Sequence, residues 1–174
     1  MIICISGFTG SGKTSLAKRL SEDLGIRNVT NSYKNYSEDN YKGLIEMQKT
    51  VKPGFERSFD REIIREAEKQ DCVVPTWLGP WMIKNATLRV FLYAGLKTRS
   101  KRKAKELKIS VKDAEKYVKT KDTQNIKRYK KVYGIDITDT SIFDICINTE
   151  LFTVDQTAEI ISMLSVEKGK KRFR

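Results

Sequence analysis

The sequence predicts one α/β domain in which helices cover a parallel β-sheet. Five short runs that can form strands, most of them apolar, are set among stretches of helical periodicity, and strands separated by helices imply parallel pairing. A glycine-rich turn lies between the first apolar run and the first helical stretch. A chain of 174 residues with 39% hydrophobic side chains suits one compact core better than a disordered tail or several domains.

The individual elements follow from the spacing of apolar residues and from turn signals. In the first helix, Leu16, Ala17 and Leu20 recur at helical spacing, and Gly25 ends the run. The strands are short apolar runs, rich in β-branched residues. In chain order, we predict strands over residues 1–6, 26–31, 71–76, 88–93 and 143–148, and helices over 14–24, 60–69 and 154–164.

Three stretches depart from this alternation. Residues 32–59 are polar and aromatic with weak periodicity, which predicts irregular or short helical structure. The chain between Tyr93 and Phe143 is highly charged and helical, with a break near Ile109, and indicates an excursion from the sheet. Residues 168–174 form a basic tail, which we expect to be frayed.

Composition excludes several kinds of chemistry. The chain has no histidine, which excludes Ser-His-Asp catalysis and histidine-ligated zinc. Its three cysteines lie far apart within apolar runs, which predicts buried thiols in a reducing compartment. No apolar stretch approaches the roughly 20 residues that span a bilayer. We therefore expect a soluble, cytoplasmic protein with no membrane partner.

The glycine-rich turn carries the strongest functional signal. It satisfies the pattern G-x-x-x-x-G-K-[ST] at every defined position, with a predicted strand before it and a helix after it. Such a loop turns backbone N–H groups inward to form an anion nest at a helix N-terminus. The residues predicted to bind the nucleotide are Gly7, Phe8, Thr9, Gly10, Ser11, Gly12, Lys13, Thr14 and Ser15.

Two side chains of this loop are expected to take part in chemistry. Lys13 can reach the β- and γ-phosphates of ATP as a mobile charge, so we predict a catalytic role for it. The Thr14 hydroxyl can ligate Mg²⁺. The chain lacks the Asn-Lys-x-Asp base-reading motif of GTPases and the acidic run of remodelling ATPases, which favours a small-molecule kinase that uses ATP and Mg²⁺.

Further blocks of the sequence indicate a family. They are Phe59-Asp60-Arg61, the segment from Tyr93 to Arg102, and the run from Lys121 to Asp139, which contains Arg128-Tyr129 and Tyr133-Gly134-Ile135-Asp136. With the phosphate loop, these blocks resemble archaeal-type cytidylate kinases of the nucleoside monophosphate kinase group. The resemblance implies a three-layer P-loop kinase fold, five parallel strands ordered 2-3-1-4-5, an acceptor-binding segment near 26–59 and a helical lid near 97–139.

The resemblance also implies a reaction, the transfer of the ATP γ-phosphoryl group to CMP or dCMP. Cations must then converge on the moving group, and residues 97–131 hold 15 Lys and Arg against four acids. This segment accounts for most of the net charge of +12. We predict Arg128 as a catalytic lid arginine. The full set of predicted lid cations is Arg99, Arg102, Lys121 and Arg128.

The acceptor site departs from the family pattern. Cytidylate kinases commonly place arginines after the second and third strands, and here Lys34 or Tyr36 and Trp77 stand at those places. We expect Lys34, Asp60, Arg61 and Trp77 to bind the acceptor, although tryptophan does not reproduce a bidentate arginine clamp.

Other functions stay open at this point. The acceptor could be another nucleotide or small molecule. The basic segment 97–131 could instead bind RNA under nucleotide control. The chain is expected to be a monomer or a homodimer.

Overall fold

The computed structural model of the chain describes residues 1–30 and 53–171, with side chains described outside 53–59 and 168–171. Its strands are β1 (Ile2–Gly7), β2 (Arg27–Asn28), β3 (Cys72–Pro75), β4 (Leu88–Tyr93) and β5 (Ile145–Asn148). Its helices are α1 (Lys13–Leu24), α2 (Pro53–Glu68), α3 (Gly79–Met82), α4 (Leu96–Leu107), α5 (Val111–Tyr133) and α6 (Val154–Lys171).

The five strands form one parallel sheet in the order β2-β3-β1-β4-β5, which confirms the predicted topology. Strand β1 is central and all six of its residues are buried. It pairs with β3 through Ile3 and Val73 and with β4 through Ile5 and Val90. This register brings the carboxyl ends of β1, β3, β4 and β5 to the same edge of the sheet, where the ligands of open α/β sheets bind.

Two apolar layers cover the sheet, as a three-layer fold requires. On one face, Leu16 and Leu20 of α1 and Ile161 of α6 pack with Ile3 and Ile5. On the other face, Ile63 of α2 packs with a second cluster that includes Cys4, Cys72 and Val74. The core thus holds β1 rigidly from both sides, immediately before the glycine-rich loop.

Several element boundaries differ from the sequence expectation. The second strand shrinks to Arg27–Asn28, and α2 begins at Pro53 rather than at Asp60. The short helix α3 was missed. The predicted acceptor-binding segment 26–59 lies mostly outside the described residues.

The cysteine prediction was right in two cases of three. Cys4 and Cys72 are buried, whereas Cys146 is exposed because it lies on the edge strand β5. In the described part of the chain, no helix is long and apolar enough to cross a membrane.

The break predicted near Ile109 is a tight turn between α4 and α5. Lys108 adopts a left-handed conformation with φ 53°, and Ser110 caps α5 by accepting a hydrogen bond from the Asp113 N–H at 3.0 Å. The two helices pack against each other as an antiparallel pair. Most of the region predicted to be a lid is therefore a helical hairpin.

We expect Ser110→Ala to lower the free energy of unfolding by about 1 kcal/mol, the usual cost of losing an N-cap. Urea unfolding measures the loss. Thr123→Ala, an exposed change in the middle of α5, is the matched control and should cause no loss. Equal stability of the parent and the Ser110 variant would contradict the capping role.

Candidate active site

The glycine-rich loop runs from the end of β1 to the first turn of α1. At two of its glycines the surrounding backbone leaves no space for a side chain. Gly7 has φ +144° and a Cβ there would lie 2.4 Å from the Leu92 carbonyl oxygen. Gly10 has φ +79° and a Cβ there would lie 2.8 Å from the Arg99 carbonyl oxygen. The loop is pressed against β4 and α4, which explains why the motif needs glycine at these positions.

The carbonyl groups of the loop are all occupied by donors from the protein. Lys13 Nζ donates to the Gly7 and Phe8 oxygens, at 2.5 and 3.1 Å. The donors to the next four oxygens are Arg99 Nη1 to Thr9, Arg102 Nη1 to Gly10, Thr149 Oγ1 to Ser11 and the Leu16 N–H to Gly12. Since the carbonyl groups are bound elsewhere, the N–H groups near the start of α1 are left to meet an anion.

A cleft of about 1250 Å³ lies beside this loop. Its lining residues fall on two sides of the loop, which we call the two arms of the cleft. The arm toward α4 and the chain after β5 is lined by Arg102, Glu106, Leu151, Phe152, Val154 and Thr157. The arm toward α2 and β3 is lined by Thr30, Asp60, Ile63, Thr76, Trp77, Leu78 and Tyr129. Lys13, Thr14, Ser15, Lys121 and Arg128 line the cleft as well.

Lys13 lies in a strongly cationic setting. Burial lowers its pKa to about 7, and the charges of Lys121, Lys103 and Arg99 act in the same direction, against an opposing effect of Asp122. Its ammonium group also lies 4.9 Å from the centre of the Trp77 ring, a cation–π contact. A bound polyphosphate would give the Lys13 ammonium group a negatively charged partner.

Thr14 and Ser15 are exposed in the first turn of α1 and line the cleft. A magnesium ion bound with a nucleotide needs few protein ligands, because the phosphates and water supply the rest. Among the described residues no cluster of three Cys, Asp or Glu side chains could hold a metal by itself. The residues present fit a Mg²⁺ ion that arrives with the nucleotide and is held by the Thr14 hydroxyl.

Two of the four predicted lid cations, Arg99 and Arg102, bind protein atoms around the phosphate loop. Arg99 is buried with only 9% of its surface exposed, and its guanidinium donates to Asp122, to the Thr9 carbonyl and to the Ala94 carbonyl. Arg102 also holds protein atoms, the Gly10 carbonyl and Thr149, but it lines the cleft.

Lys121 and Arg128 lie seven residues apart on α5 and both line the cleft. Lys121 Nζ is 3.1 Å from the Tyr117 hydroxyl, and the Arg128 guanidinium lies 5.9 Å from the centre of the Tyr129 ring. Asn125, between them, is buried and also lines the cleft. One face of α5 thus presents two cations and an amide to the space in front of the loop.

The predicted acceptor residues are only partly brought together. Asp60 lines the cleft and accepts a hydrogen bond from the Tyr133 hydroxyl, which joins α2 to α5. The centre of a Trp77 ring lies 5.7 Å from the centre of the Phe8 ring and 6.4 Å from that of the Tyr129 ring. Arg61 is exposed and does not line the cleft. Lys34 lies outside the described residues.

Sequence reasoning missed three side chains that complete the site. They are Asp122, Asn125 and Thr149, and each acts on the loop or on the cleft beside it. Asp122 directly follows Lys121 in one of the blocks that resemble cytidylate kinases, but an Asp on a charged helix is usually solvated. Thr149 follows the last strand, the one signal that could have placed it at the carboxyl edge of the sheet.

A family profile matches more than half of the sequence. Residues 46–151 match the profile of the cytidylate kinase-like family, a span that includes α2, β3, the α4–α5 hairpin and β5. The chain belongs to the cytidylate kinase-like family. The resemblance found in the sequence is thereby confirmed.

Similarity to known proteins extends over nearly the whole chain. It is 35% identical over 165 residues to a cytidylate kinase of Pyrococcus horikoshii, covering 92% of this chain and 86% of the relative. It is 36% identical to a cytidylate kinase of Thermococcus kodakarensis, with the same coverage. This membership confirms the prediction of an ATP-dependent phosphotransferase with nucleotide substrates.

A solved structure supports the fold. Shikimate kinase from Acinetobacter baumannii in complex with shikimate superimposes with a TM-score of 0.60 at 16% identity, covering 95% of this chain and 93% of that one. Identity this low bears on architecture alone. The P-loop kinase fold expected from the sequence is confirmed.

The lowered pKa of Lys13, about 7 without ligand, predicts that ADP binding takes up a proton. Bound phosphates favour the charged lysine and raise its pKa, so at about pH 8 close to one proton should enter the complex. For the same reason, ADP affinity should fall as the pH rises above about 7. Calorimetry in buffers of different ionisation enthalpy measures the uptake. Lys13→Met is the control and should abolish it; equal uptake by both proteins would assign the proton to another group.

Proposed function

We propose that the protein is a nucleoside monophosphate kinase that transfers the γ-phosphoryl group of ATP to CMP or dCMP. The observation that carries this proposal is the lining of the cleft, which has residues on both sides of one phosphate loop. A kinase for nucleotides must bind two nucleosides on either side of a shared row of phosphates. One loop between two arms provides such an arrangement.

The donor nucleoside belongs in the arm beside α4. Leu151, Phe152 and Val154 line this arm and keep large apolar surfaces exposed in the ligand-free protein, 75%, 42% and 42% respectively. A purine base can cover such surface at little cost. From there the triphosphate would extend to the N-terminus of α1, where Lys13 would hold its β- and γ-phosphates and the Thr14 hydroxyl would hold Mg²⁺. The bound metal would neutralise part of the phosphate charge.

The acceptor belongs in the arm between α2 and β3. Trp77 and Tyr129 offer flat aromatic surfaces for a pyrimidine, and Asp60 can accept a hydrogen bond from an exocyclic amino group. Cytosine carries such a group and uracil does not, so this arm favours CMP over UMP. Arg128 lines the same cleft as the phosphate loop, and we expect its guanidinium to contact both phosphate chains.

The reaction itself does not require a general base from the protein. An oxygen of the acceptor phosphate is already anionic, so its attack on the γ-phosphorus needs no general base, in keeping with a chain without histidine. The transition state spreads negative charge over the moving group, and Lys13, Lys121 and Arg128 can stabilise that charge. In this mechanism Lys13 must leave the Gly7 and Phe8 carbonyl groups and turn toward the phosphates.

A coupled assay across CMP, dCMP, UMP, AMP and GMP tests the proposed activity. We expect CMP or dCMP to give the highest kcat/KM, and Lys13→Ala to lose at least about 100-fold in kcat with its fold intact by circular dichroism. No turnover with any of the five acceptors would refute a monophosphate kinase. A preference for AMP or GMP would keep the kinase and refute the cytosine assignment.

The position of Trp77 gives a test of the acceptor arm that needs no catalysis. Trp81, the other tryptophan, packs against Phe143 at 5.2 Å and does not line the cleft. In a Trp81→Phe protein, CMP should change the fluorescence of Trp77 in a saturable titration. Adding Tyr129→Ala should weaken CMP binding about 10-fold, because base stacking on one aromatic side chain contributes about 1–3 kcal/mol. An unchanged spectrum at saturating CMP would place the base elsewhere.

Exposed lysines on the α4–α5 hairpin favour a second candidate, RNA binding gated by nucleotide. Lys101, Lys105, Lys112, Lys116 and Lys127 are all exposed. A binding assay with single-stranded RNA near physiological salt decides between the two, since a solvated basic surface loses its RNA steeply as salt rises. Retention of RNA together with inactivity on all five mononucleotides would reverse the order of the candidates.

A further inference from the structure

We propose that Asp122 is a positioning residue, which with Arg99 fastens the phosphate loop to the α4–α5 hairpin and so sets the places of Lys121 and Arg128 before any substrate binds. The inference rests on the proposed function for its kinetic consequences. It departs from the expectation that the whole helical segment 97–139 moves as a lid.

The two side chains hold both polar groups of a single residue of the loop. The Asp122 carboxylate accepts the Thr9 N–H at 3.0 Å through Oδ1, and it accepts Arg99 Nη1 at 2.6 Å through Oδ2. Arg99 Nη1 also donates to the Thr9 carbonyl at 3.0 Å. Because Thr9 is held at its N–H and at its carbonyl, the peptide groups on both sides of this residue are restrained.

The pair is buried, which makes a role in stability alone a poor explanation. The side chains of Arg99 and Asp122 are each 11% exposed. Removing two charges from water costs several kcal/mol, which the mutual attraction only roughly offsets, so a buried pair of this kind adds little to stability over an apolar pair. The contribution that an apolar pair could not make is geometric. The hydrogen bonds of the guanidinium and the carboxylate fix the distance and the direction between Arg99, Asp122 and Thr9.

Both helices of the hairpin take part in the contact. Arg99 lies in the first turn of α4 and its Nε donates to the Ala94 carbonyl at 3.0 Å. The backbone of Arg99 also touches Gly10, which has no room for a Cβ. Asp122 lies near the middle of α5. The loop is therefore joined to one end of α4 and to the centre of α5.

The position of Asp122 on α5 determines where the cations of that helix lie. Lys121 is its neighbour, and Arg128 lies six residues on, about 9 Å further along the axis. Asp122 and Asn125 are three residues apart and both are buried, so they define the face that turns toward the loop. A fixed contact at Asp122 sets the rotation and the axial position of α5 together, and with them the directions of Lys121 and Arg128.

The test is a double-mutant cycle between Asp122 and Arg128. Asp122→Asn keeps the size and one acceptor oxygen but loses the charge that faces Arg99. If Asp122 acts by placing Arg128, we expect Asp122→Asn to lower kcat/KM for the acceptor about 100-fold in the parent, and by less than about 3-fold in an Arg128→Ala background. Equal fold-losses in both backgrounds would show a purely structural role and overturn the inference.

A second variant keeps the test valid if Asp122→Asn folds poorly. Arg99→Lys preserves the positive charge but removes the fork that joins Asp122 to two carbonyl groups. Arg99→Lys should also lower kcat/KM strongly in the parent and only slightly in the Arg128→Ala background. The matched control is Arg89→Met, because Arg89 holds the Pro80, Ile83 and Lys84 carbonyls at the other end of β4. This control should lower the melting temperature and leave kcat/KM unchanged.

The same cycle on ADP affinity separates this inference from the proposed function. Calorimetric binding of ADP with Mg²⁺ requires no acceptor, and we expect Asp122→Asn to weaken it about 10-fold in the parent and much less beside Arg128→Ala. A protein inactive on all monophosphates but showing this coupling would refute the proposed acceptor and support the inference. If the parent is active on CMP or dCMP but the losses in ADP affinity are additive, the proposed function is supported and the inference is refuted.

Discussion

The arrangement of this site depends on how the protein satisfies the carbonyl groups of its phosphate loop. A loop that turns its N–H groups toward a ligand leaves its oxygens pointing back into the protein, where an unpaired carbonyl is costly. Here every oxygen from Gly7 to Gly12 has a donor, and most of these donors are cationic side chains. The donors are Lys13, Arg99, Arg102, Thr149 and the Leu16 N–H.

This requirement explains much of the basic composition. Arg99 and Arg102 are held by the loop, and Lys121 and Arg128 face the cleft, which together place four cations within or beside one site. Asp122 opposes them from behind, and it is the reason that Arg99 can be buried. The site thus carries excess positive charge before substrate binds, and this charge adds to the larger effect of burial in lowering the pKa of Lys13 to about 7. Nucleotide phosphates relieve this repulsion.

The sequence allowed the phosphate loop and most of the strands and helices to be predicted, because these depend on local patterns. Apolar periodicity locates β1 and α1, and the spacing of glycines has a steric cause in the contacts of Gly7 and Gly10. The order of the strands came from family resemblance, since periodicity carries no information on which strands are neighbours. The place of Asp122 could not be predicted in this way, because it depends on a contact between residues 113 positions apart. Trp77 shows the same limit, since its neighbour Tyr129 lies on a distant helix.

The most direct test of this account is a crystal structure with an inhibitor in which adenosine and cytidine are joined through five phosphates. The account predicts that adenine lies beside Phe152 and cytosine beside Trp77, with Lys13 turned from the loop carbonyl groups onto the phosphates. It also predicts that Asp122 keeps its contact with Thr9, because the loop and α5 are already in place. An inhibitor bound in one arm alone, or an α5 that has separated from Thr9, would contradict it.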